Sequence, residues 1–236
     1  MPWAGRTLTP SPFAGDDGSA DAGVVAALAE RDATGPAAVV AALAGTRVFV
    51  PVVAVSAGEE ASPLTGVASD TGADMAVVTL TAPDGRRALP VFTSTAALAA
   101  WDAAARPVPS EVERAALSAV DEGCAMLVLD PAAQRPLVVP RPAVEALAQQ
   151  RSWTPSWERE DVAEAVRAAA EVEPAVASAA VERGRRAETA VVLALAPGLD
   201  QPALDALLQR VQDRLATSAV VAEGVDSLEL RLTTAG

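Results

Sequence analysis

The sequence predicts an α/β (α+β) protein: an N-terminal mixed sheet with flanking helices, then a smaller C-terminal α+β domain. Three observations predict it. The spacing of apolar residues changes from helix-like to strand-like at Arg47 and keeps alternating after it. Turn signals such as Pro83-Asp-Gly85 separate the apolar runs. A polar, proline-containing segment, Arg151-Ser-Trp-Thr-Pro-Ser-Trp157, divides two such series. The chain has 236 residues, 51% of them hydrophobic, which suits two domains with real cores. The expected division is 1–150, a connector at 151–158, and 159–236.

The elements follow in order. Residues 1–20 read as irregular, and an Asp or Ser there caps a helix running to about Arg31. Thr34-Gly-Pro36 supplies a cap and a first-turn proline for a second helix, which Gly45 stops. Arg47 to Val55 is a strand that ends or kinks near Pro51. Residues 57–73 are loop-like. Met75 to Thr81 is a strand, and Arg86 to Phe92 returns as its hairpin partner.

Ser94 to Ala104 is a helix capped by Thr93 or Ser94, with Leu98 and Trp101 on one face. Ser110-Glu-Val-Glu113 matches a capping box and opens a helix ending at Gly123. Ala125 to Leu129 and Pro136 to Val139 are strands about an Asp130-Pro131 turn, and Pro142 to Gln150 is a helix. Beyond the connector come a helix from Glu160 to Glu171 and strands near Ala175–Glu182 and Thr189–Ala196. A helix from Pro202 to Ala216, capped by Asp200, and a last strand from Ser227 to Thr233 complete the chain. The C-terminal part is thus a hairpin, a helix packed on it, and a returning strand.

Composition removes much chemistry. The chain has no histidine, lysine, tyrosine, asparagine or isoleucine, and a single cysteine. A histidine base, a lysine Schiff base and a tyrosine proton donor are therefore impossible within one chain. AT-rich codons encode the missing Lys, Asn, Ile and Tyr, so a GC-rich genome accounts for most of the gaps without selection. The chemical consequence stands either way. The net charge of −13 repels nucleic acid and anionic lipid, so neither is expected as a partner. One cysteine cannot form an intrachain disulfide, which fits a reducing cytoplasm. Met1-Pro-Trp-Ala-Gly-Arg lacks the pattern of a signal peptide. The apolar stretch Pro36 to Ala57 is too interrupted to span a membrane.

The run Leu89-Pro-Val-Phe-Thr-Ser-Thr-Ala-Ala-Leu-Ala-Ala-Trp101 resembles the signature of the SseB-type (enhanced serine sensitivity) proteins. In these, a strand ending in P-x-F-T-S leads into a helix that carries a tryptophan. Arg47-Val-Phe-Val-Pro-Val52 and Ala125-Met-Leu-Val-Leu-Asp-Pro131 agree with that family, and Ser11 to Asp21 is similar to members from high-GC bacteria. Asp130 stands where the family often has asparagine, which argues against a special turn role there. The resemblance covers about Arg6 to Gln150, and the remainder is similar in layout only. It carries over no catalytic residue.

Each candidate constellation has a plainer explanation. Asp16, Asp17 and Asp21 share a Gly-containing loop but fail the spacing of a calcium loop, so capping is the reading. Cys124 precedes an apolar strand with no cation beside it in sequence, so it reads as core, and zinc lacks ligands. Thr93 and Ser94 read as a cap and not as a nucleophile. Glu59, Glu60, Glu158, Glu160 and Asp161 form carboxylate pairs that 31 acidic residues make inevitable. Arg183, Arg185 and Arg186, flanked by Glu182 and Glu188, read as a solvated strand end or turn.

Phe92 and Trp101 read as core anchors, with a cost of roughly 3–5 kcal/mol for Trp101→Ala. Trp153 and Trp157 either pack the domains together or mark a partner surface. No catalytic, cofactor-binding or metal residues are assigned, and no cofactor is expected. The function expected is a non-enzymatic cytoplasmic protein acting through protein–protein interaction or regulation, with homo-oligomerisation open. The alternative is a small-ligand binding or sensing protein with a pocket in the N-terminal domain.

Overall fold

The computed structural model describes residues 12–56, 73–82 and 84–235. The first helix, α1 (Ala22–Thr34), begins where the Asp21 carboxylate accepts hydrogen bonds from the Gly23 and Val24 N–H groups. Those are two donors that a helix start leaves without an internal partner. Gly35 breaks the chain, and Pro36 opens α2 (Pro36–Leu43), which buries Val39, Val40 and Leu43. Both helices stand where the cap and breaker signals put them.

Next come β1 (Arg47–Ser56), β2 (Ala73–Val77), β3 (Leu80–Thr81) and β4 (Arg87–Val91). α3 (Thr95–Trp101), β5 (Arg106–Glu111) and α4 (Val112–Asp121) follow, then β6 (Met126–Leu129), β7 (Leu137–Val139) and α5 (Arg141–Ala148). The strands form an antiparallel sheet, β2-β1-β5, and a mixed sheet, β3-β4-β6-β7, with β4 and β6 parallel. Phe49 and Phe92 join the two sheets. Each donates its N–H to the other's carbonyl, at 2.8 and 2.9 Å. The mixed α+β architecture is as the sequence predicts.

Four details differ from expectation. β1 does not end at Pro51. The edge of β1 passes from β4, at Phe49, to β2, from Val52 onward, so Pro51 stands at the changeover. Its missing N–H costs no ladder bond there. The run Met75 to Thr81 splits, with β2 pairing to β1 and the short β3 to β4. The α3 helix stops at Trp101, and residues 106–111 form β5 along β1. The Ser110–Glu113 capping box does not form: the N-cap is Glu111, without a side-chain cap bond, and Glu113 Oε1 accepts instead from the Gly45 N–H at 2.6 Å. Gly123 stops α4 as expected, with a φ of +67° that only glycine adopts freely.

Past the connector, a 3-10 turn at Ser156–Glu158 leads to α6 (Glu160–Ala170), β8 (Val176–Arg183) and β9 (Thr189–Leu195). α7 (Gln201–Thr217), α8 (Ala219–Gly224) and β10 (Leu228–Thr234) complete the chain. The sheet order is β10-β9-β8. The hairpin β8–β9 is antiparallel, and β10 returns parallel to β9. This is the hairpin, helix and returning strand read from the sequence, with α8 added. Ser218 Oγ accepts from Val221 N–H and starts that helix, although its β-branched residues favour a strand.

Two hydrophobic cores lie on either side of residues 151–158. The first draws on α1, α2, α4, α5 and the N-terminal strands, among them Leu43, Val48, Leu89 and Leu127. The second gathers Val162, Val166, Leu193, Leu207 and Val211. A polar joint links the two parts. Asp226, its side chain 6% exposed, holds Arg86 Nη1 at 2.8 Å and accepts from the Arg141 N–H at 3.1 Å. Arg141 also donates to the carbonyls of Ala222 and Val225.

Candidate functional site

Trp153 stands where three depressions meet. Its ring packs against the first core, and its Nε1–H is buried with no hydrogen-bond partner among the described residues. On one side lies a groove of about 480 Å³ between α2 and α5. Val40, Ala41, Ala44, Leu147 and Trp153 form its apolar lining, and Glu113, Gln150 and Arg151 its charged and amide lining. Sequence dictates this shape locally. Ala41 on α2 and Ala44 at its C-cap leave space that larger side chains would fill, while Leu43 turns inward. Leu117, one turn beyond Glu113 on α4, leaves 49% of its surface exposed.

On the other side is a polar cleft of about 590 Å³, bordered by Arg151, Arg159, Asp161, Glu145 and Glu223. The third depression, about 360 Å³, runs between the two parts of the chain. Trp157, Arg183, Arg86, Glu188 and Val138 line it. The Arg183 guanidinium lies 5.8 Å from the Trp157 ring centroid, a cation–π distance. Burial pushes the Glu188 carboxyl up, partly offset by the Asp226 N–H that Glu188 Oε2 accepts at 2.7 Å. Glu188 Oε1 is buried without a partner among the described residues.

The residues singled out from sequence fall as follows. Asp21 caps α1. Asp16 accepts from Gly18 N–H and pairs with Arg47 Nε at 2.7 Å, and those contacts hold its carboxyl below the usual range. Ser94 caps α3, its Oγ accepting from the Ala97 N–H at 3.0 Å. Cys124 is buried, and burial pushes its thiol up. Arg183, Arg185 and Arg186 lie at the β8–β9 turn, where the N–H groups of Arg185 and Arg186 donate to the Glu229 carboxylate. Glu160 pairs with Arg167 and Asp161 with Arg159, while Glu158 lies in the 3-10 turn. These carboxylates converge on arginines and not on one another. Glu59 and Glu60 lie outside the described residues. Phe92 is fully buried, and Trp101 is half-buried against it.

Asp130 is a correction. It adopts a φ of +49°, and its carboxylate accepts from both the N–H and the hydroxyl of Thr93. The turn role set aside for want of asparagine is therefore present, because aspartate also tolerates the left-handed region and offers two acceptors. The groove at Ala41 and Ala44 has no sequence signal beyond small residues on a helix face.

Among the described residues, no group of three or more His, Cys, Asp or Glu is placed to hold a metal ion. Among them too, no helix is long and apolar enough to cross a membrane. No curated protein and no solved structure matches the chain. Residues 22–146, more than half of the chain, match the family model described as the SseB protein N-terminal domain. That match runs from α1 into α5 and takes in the α2 wall of the groove and Glu113. The C-terminal sheet lies beyond it, and the chain belongs to the SseB family.

Proposed function

We propose that this SseB-family chain is a non-enzymatic cytoplasmic protein that acts through protein–protein contact, using the groove beside Trp153. The observation that carries the reading is the make-up of that groove. Its lining is mostly apolar, with Val40, Ala41, Ala44, Leu147 and Trp153 beside the polar groups of Glu113, Gln150, Arg151 and Ser152. A largely apolar lining with few polar groups suits the core of a protein interface. A rigid aromatic at the floor suits an anchoring side chain from a partner. The lack of His, Lys and Tyr in the chain supports a role without catalysis, and the single cysteine supports a reducing compartment.

Affinity capture from a native lysate, run in parallel with the wild type and Ala41→Glu, tests this. Ala41 is exposed on α2, so the substitution fills the groove without touching the core. Proteins retained by the wild type and lost by the variant are the expected result. Identical capture profiles would refute the reading.

One observation favours a second reading, binding of a small molecule. Glu188 lines the depression between the two parts of the chain together with Arg86, Arg183 and Trp157. A small molecule there would meet charged and aromatic groups drawn from both parts of the chain.

A further inference from the structure

We propose that the chain pairs with a second copy of itself through β10, antiparallel and centred on Leu230. The strand closes the C-terminal sheet, and among the described residues β9 is its one strand neighbour. An open strand edge is a template for another strand. The hydrogen bonds fix which residues face outward. The Ser227 carbonyl accepts from Thr189, and the Ala235 N–H donates to Leu195, so the odd-numbered positions face β9. Alternation then directs the N–H and C=O of Leu228, Leu230 and Leu232 to the free edge.

The sequence of this edge is self-complementary. Leu228-Glu229-Leu230-Arg231-Leu232 is symmetric in its leucines and opposite in charge about its centre. With Leu230 opposite Leu230 of the partner subunit, Glu229, which already accepts from the Arg185 and Arg186 N–H groups, lies opposite Arg231 of the partner subunit, and Arg231, already paired with Glu182, lies opposite Glu229 of the partner subunit. Centring on Glu229 or Arg231 would set like charges face to face, which destabilises a strand pair. The parity also agrees. The outward-facing leucines take the hydrogen-bonded positions, about six bonds in all, and the charged residues take the closer non-hydrogen-bonded positions.

A second observation concerns the apolar face. Leu232 is 41% exposed. Beside Leu228, at the other end of the strand, is an apolar depression of about 410 Å³ lined by Leu215, Val221, Val225, Leu228 and Leu230. In the proposed register Leu232 of the partner subunit lies opposite Leu228, at that depression. Each copy thus covers in the other what it leaves open in itself, the property a two-fold interface requires. This surface is separate from the Trp153 groove, and the inference does not depend on the function proposed for that groove.

Sedimentation velocity of the full chain, from micromolar to sub-millimolar concentration, is the test. A reversible monomer–dimer equilibrium is expected. Leu232→Asp should weaken it roughly a hundredfold, because two leucines lose their cover. Glu229→Arg, which also removes the acceptor of the Arg185 and Arg186 N–H groups, and Arg231→Glu, which also sets a carboxylate beside Glu182, should each weaken it about tenfold. The double variant Glu229→Arg/Arg231→Glu should recover part of the loss, since the charges across the strand pair are opposite again while the contacts to Glu182 and to the Arg185 and Arg186 N–H groups stay lost. Urea midpoints verify that each variant is folded. Leu232 is exposed, so Leu232→Asp decides the matter even if the charge variants fail to fold. A monomer at every concentration would overturn the proposal, as would a dimer equally tight with Leu232→Asp.

Discussion

The Asp130 carboxylate accepts two hydrogen bonds from Thr93, one from its N–H at 2.9 Å and one from its hydroxyl at 2.8 Å. Thr93 is 8% exposed and follows Phe92, the residue that joins the two N-terminal sheets. The pair therefore ties the end of β6 to the junction of β4 and α3. Asp130→Ala should lower stability by about 1–3 kcal/mol, the cost of leaving buried donors unpaired. Asp130→Asn keeps an acceptor and the left-handed conformation and should lose about 1 kcal/mol or less. Urea unfolding of the two variants checks the order. Equal losses would show that the hydrogen bonds are not what the position supplies.

Phe92 and Trp101 form the aromatic pair of the small cluster beneath α3, with ring centroids 5.4 Å apart. Phe92→Ala should cost about 3–5 kcal/mol, as for a fully enclosed ring. Trp101 keeps one side open, and Trp101→Ala should cost less, about 2 kcal/mol. Chemical denaturation gives both values. A larger loss at Trp101 than at Phe92 would reverse this ranking.

Glu173 lies between two guanidinium groups, Arg210 Nη2 at 2.6 Å and Arg214 Nη1 at 2.7 Å. They lower its carboxyl from 4.5 to about 2, with Arg210 the larger influence. A carboxyl depressed on folding stabilises the native state above its unfolded value. That contribution fades as pH falls from 4.5 toward 2. Glu173→Gln should therefore flatten the fall in melting temperature across this acid window. An unchanged acid slope in the variant would show that the pair contributes little.

The connector is predicted to be held and not free. Trp153 packs on the first core, and Trp157 lies under Arg183. Single-tryptophan variants should show blue-shifted emission and slow quenching at position 153, with intermediate behaviour at 157. Red-shifted, readily quenched emission at both positions would contradict the docking.

What the sequence made legible follows from how local each signal is. Caps depend on a few consecutive residues: Asp200 forms as read, Ser94 is the one of Thr93 and Ser94 that caps, and Asp21 is the Asp or Ser that starts the first helix. The hydrophobic runs of β1, β4, β6, β8 and β9 gave the strands for the same reason. The errors sit where a distant partner decides. Residues 106–111 carry two prolines and few apolar residues, and β1 alone makes them a strand. Glu113 left its capping box for the Gly45 N–H, 68 residues away in sequence. Pro51 is tolerated because two different strands share one edge of β1. The groove depends on the distance between α2 and α5, which no short motif records. Trp153 was visible as an apolar residue in a polar stretch, but not the groove it floors.

The central claim is that the groove beside Trp153 receives a protein partner, and photocrosslinking in living cells tests it most directly. A photoreactive residue is placed at Ala41, inside the groove, and separately at Val172, which is 60% exposed and outside it. A discrete higher-mass adduct is expected from position 41 and none from position 172. No adduct at position 41, or the same adducts from both positions, would contradict it.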